Sequence, residues 1–166
     1  MSALFDDVGK GAVLDPTGRY RFQLWRLWGA GQRIGWIGLN PSVADASKDD
    51  PTIRRMVRFA RDWGYDGITV VNLFPLRATD PRQLQEHALP EDVRRANLEH
   101  ILAAAAQCPM LIAAWGVRGG LDQTDTVTRM RLREAGRGLW CLRKTKAGHP
   151  EHPLYVPANT KPQVFA

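Results

Sequence analysis

Four short apolar runs, each ended by a polar or glycine-bearing cluster, constrain this chain more than any other feature. Residues 33–39 (RIGWIGL) run into Asn40-Pro41-Ser42, and residues 67–73 (GITVVNL) carry Asn72 near their end. Residues 110–115 (MLIAAW) stop at Gly116, and residues 138–142 (GLWCL) precede a loop rich in Pro and Gly. Runs of this length read as strands, the first two buried on both faces. Helical patterns lie between them. Pro51 suits a first helical turn, Asp49 and Asp50 suit its cap and positive end, and Ile53, Met56, Val57 and Ala60 recur at i, i+3, i+4 and i+7. Gly64 stops that helix, and further helices are expected near 91–106 and 122–135.

Strands alternating with helices predict an α/β fold: a three-layer α/β/α sandwich around a central, mostly parallel four-stranded sheet. Residues 19–28 (RYRFQLWRLW) add an N-terminal strand near the sheet edge, with Tyr20, Phe22 and Leu24 on one face and Arg21 and Gln23 on the other. At 166 residues the chain is expected to be a single domain over 1–166, its core about 19–157, with short flexible termini.

Bulk features narrow the chemistry. The chain lacks a GxxxxGK[ST] loop and a GxGxxG fingerprint, which argues against a nucleoside triphosphatase and a dinucleotide oxidoreductase. Cys108 and Cys141 are too few for an iron–sulfur cluster or an all-Cys zinc site and read as core thiols in a reduced compartment. His149 and His152 lack a clear third ligand, so no metal and no cofactor are expected. Ser42 stands outside any G-x-S-x-G elbow. The N-terminal MSALFDDVGKGAVL has neither a basic n-region nor a long apolar core, and no apolar run reaches membrane length; a cytoplasmic protein without a membrane partner is expected. The formal charge is +6, and 18 of the 23 cations are Arg, which fits either an anionic partner or codon bias.

In open α/β sheets, ligands sit beyond the carboxyl ends of the strands. Four clusters are expected there: Asn40-Pro41-Ser42, Asn72, Trp115-Gly116 and the His149/His152 loop. Amides, an imidazole and flanking arginines suit electrostatic stabilisation of an anionic leaving group better than covalent attack.

The same residues resemble the uracil-DNA glycosylase superfamily. Gly38-Leu39-Asn40-Pro41-Ser42 is similar to its first motif, G-x-[DN]-P. Val70-Val71-Asn72-Leu73-Phe74-Pro75-Leu76 resembles its second strand end, Ala113-Ala114-Trp115-Gly116 its third, and His149-Pro150 or His152-Pro153-Leu154-Tyr155 its final H-P-S-P-L loop. The likeness spans roughly residues 33–156. An uncharacterised bacterial domain family resembles the chain more closely, through GLNPS, NLFPLRATDP, AAWG and HPLY, and implies nothing about substrate.

The superfamily likeness implies hydrolysis of the N-glycosidic bond of a damaged or modified pyrimidine in duplex or single-stranded DNA, with the base flipped from the stack. In that reading Asn72 reads the base edge, and Leu39, Ser42, Trp115 and Gly116 line the pocket. Phe74 stacks on the base; Trp36 is a second candidate, although a core position explains it better. His152, or His149 in the same loop, hydrogen-bonds the ring oxygen where charge grows. Asn40 holds the water but cannot take its proton, so Asp45 is the favoured base, with capping the better explanation of Asp49 and Asp50. Leu154 wedges into the gap in the stack. Arg54, Arg55, Arg58 and Arg61 on one helix, and Lys146 beside the His loop, contact phosphates. Two other classes fit: a non-catalytic nucleic-acid or base-binding module, and an N-glycosidase of free nucleosides or nucleotides.

Overall fold

Apolar alternation along the strands builds two cores, and the sheet between them sets where polar loops emerge. The computed structural model describes residues 9–166. Its elements are β1 (Lys10–Leu14), β2 (Arg21–Leu27), β3 (Arg33–Gly38), α1 (Pro51–Asp62), β4 (Gly67–Asn72), α2 (Gln83–Glu86), α3 (Glu91–Gln107), β5 (Leu111–Ala113), α4 (Thr124–Glu134), β6 (Trp140–Cys141) and β7 (Gln163–Val164). Single 3-10 turns occupy Gly116–Arg118, Leu121–Gln123 and Pro153–Tyr155.

The four apolar runs are β3, β4, β5 and β6, and each pairs in parallel with its neighbour in the spatial order β4-β3-β5-β6. The whole sheet is larger and mixed: seven strands in the order β1-β2-β4-β3-β5-β6-β7, with antiparallel pairs at both margins. This corrects the expectation of a mostly parallel four-stranded sheet with one edge strand. β2 is not an edge, because β1 covers it, and β7 adds a strand beyond the expected core limit at 157. Both additions are short, and β1 holds a glycine whose Cβ would collide with the Trp25 ring, so neither carries a strong strand pattern. The expectations of no secretion signal and of a flexible N-terminus fall, in part, on residues 1–8, which lie outside the described residues.

Successive residues of the parallel strands feed alternate cores. Ile34, Trp36, Ile68, Val70, Ile112 and Ala114 join Ile53, Met56, Phe59 and Ala60 of α1. Ile37, Val71, Leu111 and Ala113 join Ile101, Ala104 and Ala105 of α3 and Leu132 of α4. The chain steps from β3 to β4 in one direction and from β4 back past β3 to β5 in the other. Crossovers of one hand then require their helices on opposite faces, as the two cores show.

β2 departs from simple alternation. Val13 pairs with Gln23 and Leu14 with Arg21, so the register slips opposite Phe22. An extra residue in a strand reverses the side chains beyond it. Tyr20 and Phe22 therefore enter the α3 core while Leu24 enters the α1 core, in place of the single face expected for all three.

α1 begins as its sequence dictates. Asp50 Oδ1 accepts from the Ile53 amide at 2.9 Å, and Pro51 occupies the first turn. Gly64, at φ +82°, ends the helix in a conformation that side chains rarely adopt. Replacing the cap tests this element: Asp50→Ala should lower unfolding free energy by about 1 kcal/mol in urea titration, whereas Asp50→Asn, an equally good cap, should stay near wild type.

Candidate functional site

The reversal of chain direction around β3 opens a crevice at the carboxyl ends of the strands, the usual ligand position in open α/β sheets. A cavity of about 380 Å³ lies there. Leu39, Asn40 and Ser42 line it after β3, Asn72 at the end of β4, Trp115 and Gly116 after β5, and His152 and Leu154 from the loop after β6. All four strand ends thus converge on one cavity, which lies at the small end of the ~300–1,000 Å³ range of ligand sites.

Backbone pairing beyond the strands holds the first two ends together. The Leu73 amide donates to Gly38 O, the Phe74 amide to Leu39 O and the Ala78 amide to Pro41 O, each at 2.9 Å. Asn40 fastens the same seam, its Nδ2 donating to Pro41 O at 3.0 Å and Ala78 O at 2.8 Å. Its amide N–H groups are therefore committed, and its carbonyl Oδ1 makes no hydrogen bond among the described residues.

Asn72 is 3% exposed, and its Nδ2 has no partner among the described residues. A Cβ at Gly38 would lie 2.7 Å from Asn72 Oδ1, so glycine leaves the space that this amide fills. Behind the strand, Asn97 of α3 donates from Nδ2 to Asn72 O at 2.9 Å and to Leu73 O at 3.2 Å. The sequence reading missed Asn97, because a lone Asn within a helical pattern carries no signal of a distant partner.

His152 has a defined proton. The Leu154 amide donates to its Nδ1 at 3.2 Å, so the neutral ring carries its hydrogen on Nε2. Burial pushes the imidazole below its ordinary value of 6.5, partly offset by the charge of Asp50. His149 is not at the cavity: its backbone closes a turn with Thr145, through Thr145 N to His149 O at 2.8 Å and His149 N to Thr145 Oγ1 at 3.1 Å. Lys146 sits exposed in that same turn, also away from the cavity. Gly116, at φ +73°, donates from its amide to Pro150 O at 2.8 Å and ties this loop to the end of β5.

Three further expected residues fall elsewhere. Asp45 folds back on its own turn, accepting from the Ser47 and Lys48 amides, which hold its carboxyl below the usual range. It lines no part of the cavity, whereas Asp50 does. Asp50 Oδ1 is spent on the helix cap and Oδ2 makes no hydrogen bond among the described residues. Phe74 belongs to the α3 core and not to the cavity, because β4 ends at Asn72 and the alternation of faces ends with it, so that Leu73 and Phe74 both enter that core. Trp36 is core as well, stacked 5.9 Å from Trp63.

None of the four α1 arginines lines the cavity either. Arg55 donates to Pro153 O at 3.3 Å and to Val156 O, so it fastens the His152 loop. Arg61 lies over the Trp28 ring, 4.5 Å from its centroid, and Arg54 donates to Asp49 O. Arg58 is exposed.

A different arginine occupies the wall. Arg21 is 2% exposed; its Nη1 donates to Ala44 O at 2.9 Å and its Nε has no partner among the described residues. Burial pulls its proton affinity down to about 10, against the raising effect of Asp50, so the guanidinium stays charged at neutral pH. The strand slip at Phe22 is the signal for Arg21, and alternation alone places it on the polar face. At the mouth stand Leu154, 45% exposed, and Tyr155, 76% exposed, which form an apolar rim.

Cys108 and Cys141 are free and buried, and burial pushes both thiols up. Among the described residues no three His, Cys, Asp or Glu side chains cluster to hold a metal ion, and no helix is long and apolar enough to cross a membrane.

Fold and site together define an α/β protein with a ligand-sized cavity, mostly apolar with a few polar groups, at the carboxyl ends of its parallel strands. The chain belongs to the family described as Protein of unknown function (DUF1643), whose model matches residues 21–154. Comparison with curated proteins and with solved structures finds no match.

The imidazole offers a direct check on this geometry. In a ¹⁵N-resolved titration His152 should titrate below 6.5 and hold its neutral hydrogen on Nε2. The sign for stability follows: the unfolded ring takes a proton first, so stability falls as pH drops below 6.5, and His152→Gln should shallow that decline.

Proposed function

We propose that this protein hydrolyses the N-glycosidic bond of a damaged or modified, uracil-type pyrimidine flipped out of DNA, within a three-layer α/β/α fold of the uracil-DNA glycosylase type. The observation that carries the reading is the convergence of Asn40, Asn72, Trp115-Gly116 and His152 on one cavity, with a buried Asn72 donor that has no partner among the described residues. A buried donor left unpaired costs about 1–3 kcal/mol, which an acceptor on a bound base would recover. A primary amide offers donors and an acceptor together, matching the imide edge of a uracil-type ring.

Each step then has a group to perform it. The water oxygen bonds to C1′ of the sugar as the C1′–N1 bond breaks, and the bonding pair passes into the pyrimidine ring. Charge gathers on O2, to which the neutral His152 donates from Nε2. Asn40 orients the water through Oδ1. Its proton passes to Asp50, the carboxylate that lines the cavity with a free oxygen, which replaces Asp45 in this role. Leu154 and Tyr155 at the mouth supply an apolar surface able to fill the vacated stack.

The committed donors of Asn40 favour one second reading, a base-binding module that holds a flipped base without cleaving it. Oligonucleotides carrying deoxyuridine or oxidised pyrimidines, single-stranded and duplex, followed by alkaline cleavage of abasic sites, separate the two. Wild type should release base; Asp50→Asn and His152→Ala should each lower single-turnover rates at least ~100-fold, as loss of a general base or an oxyanion donor does. His149→Ala should stay near wild type. Tight binding with no strand breakage on any lesion would leave the module, and release from free nucleosides alone would mark a nucleoside N-glycosidase.

A further inference from the structure

A second cavity, of about 560 Å³, adjoins the first, and Ser42, Ala78 and Thr79 form part of both walls. Its charged groups are Arg19 and Arg77 against Glu86, with His87 at one side. Arg77 is half-buried, donating from Nη1 to Gly18 O at 3.2 Å and from Nη2 to Val43 O at 3.5 Å, while its Nε is buried and has no partner among the described residues. Arg19 is exposed, and among the described residues its side chain reaches hydrogen-bond length only from Nη2 to His87 Nδ1 at 3.4 Å, where Tyr20 Oη occupies His87 Nε2 at 2.6 Å. The hydroxyls of Ser42 and Thr79 make no hydrogen bond among the described residues.

Positive charge gathers at this shared wall. Arg21, on the first cavity, is pulled down chiefly by burial and feels Arg77 as a repelling neighbour, with Asp50 opposing both. Like charges placed together in this way are stabilised by an anion between them. Two guanidinium groups and two free hydroxyls suit the tetrahedral oxygens of a phosphate.

We infer that Arg19 and Arg77, with Ser42 and Thr79 on the shared wall, form a phosphate subsite for the nucleotide whose base occupies the first cavity. The inference rests on the base-binding reading of that cavity and moves the anionic contact from α1 to the opposite side of the Asn40 loop. The phosphate comes from a mononucleotide or from a strand, and the same chemistry serves both.

Equilibrium binding tests it without requiring turnover. The probes are 2′-deoxyuridine, its 5′-monophosphate and a fluorescent single-stranded oligonucleotide containing deoxyuridine, measured over a range of salt. The monophosphate or the oligonucleotide should bind at least tenfold more tightly than the nucleoside, as expected of ~1.4 kcal/mol from a charge-assisted contact. Gain with the monophosphate identifies a mononucleotide-sized ligand, and gain with the oligonucleotide alone identifies a strand. Arg19→Ala should remove most of that gain and make the oligonucleotide salt slope shallower by about 1, whereas Arg58→Ala on α1 should leave both unchanged. Arg77→Gln, which keeps a donor for Gly18 O, should behave as Arg19→Ala, with circular dichroism showing the fold intact. Equal affinity for nucleoside and phosphorylated probes, no binding by wild type, or loss at Arg58 without loss at Arg19 overturns the inference. Binding that follows the expected pattern without base release sinks the glycosylase reading and leaves the phosphate subsite standing.

Discussion

The parallel pairing of β3 with β4, continued past the strand ends, is the constraint on which the rest of the site depends. Ladder pairing sets Gly38 opposite Asn72, and three further amide-to-carbonyl bonds zip the two emerging loops together. Register in a sheet buried on both faces is not free to slip, because a one-residue shift would move every core side chain to the wrong side. Ile37 and Val71 belong to one core while Trp36 and Val70 belong to the other. The apolar cores thus hold the positions of two amides, Asn40 and Asn72, that contribute little to either core. Asn97, from the helix behind, completes the arrangement by occupying the carbonyls that the end of β4 leaves unpaired.

A second constraint comes from β2. Its register slip turns Arg21 toward the cavity, and Arg26, 4% exposed, reaches the loop before α1 through Asp49 Oδ1 at 2.8 Å and Asp45 O at 2.6 Å. Burying guanidinium groups is costly unless their donors are met. Arg21 places one on Ala44 O and Arg26 places others on Asp45 O, Lys48 O, Trp25 O and Asp49 Oδ1, so the two cations act as staples on a segment without regular structure. Arg55 does the same for the loop carrying His152. Arginine abundance, ambiguous as a bulk property, therefore serves loop fixation at several positions, Arg55 of the α1 stripe among them.

The parts legible in the sequence are those with local causes. Four buried runs, the Asp50-Pro51 start of α1 and its stop at Gly64 follow from patterning and capping over a few residues. The strand-end residues were placed by one rule of α/β sheets, and Asn40, Asn72, Trp115 and His152 do share a cavity. Other features were not legible. Asp45 and His149 stand outside the cavity because each is drawn into a short turn, Asp45 through Oδ1 and the Lys48 amide and His149 through Thr145, and such turns have no period to read. Phe74 follows Asn72 by two residues yet belongs to the α3 core, since the chain leaves the strand geometry after Asn72. β1 and β7 form because neighbouring strands offer open edges, which short segments of weak intrinsic preference can fill.

The hydrogen-bond inventory of the cavity carries its own argument about what it holds. Asn40 has spent its donors on carbonyls and Asp50 has spent one oxygen on a helix cap, so each presents an acceptor. Asn72 and Arg21 retain unmatched buried donors, and His152 keeps a hydrogen on Nε2. Donors and acceptors thus face one small space together. A purely apolar occupant would leave at least two buried donors unsatisfied, at about 1–3 kcal/mol each. An occupant with carbonyl oxygens toward Asn72 and His152, and a water held between Asn40 and Asp50, would satisfy both sets. That inventory, more than any single motif, is what supports the proposal of cleavage beside a planar, carbonyl-bearing ring.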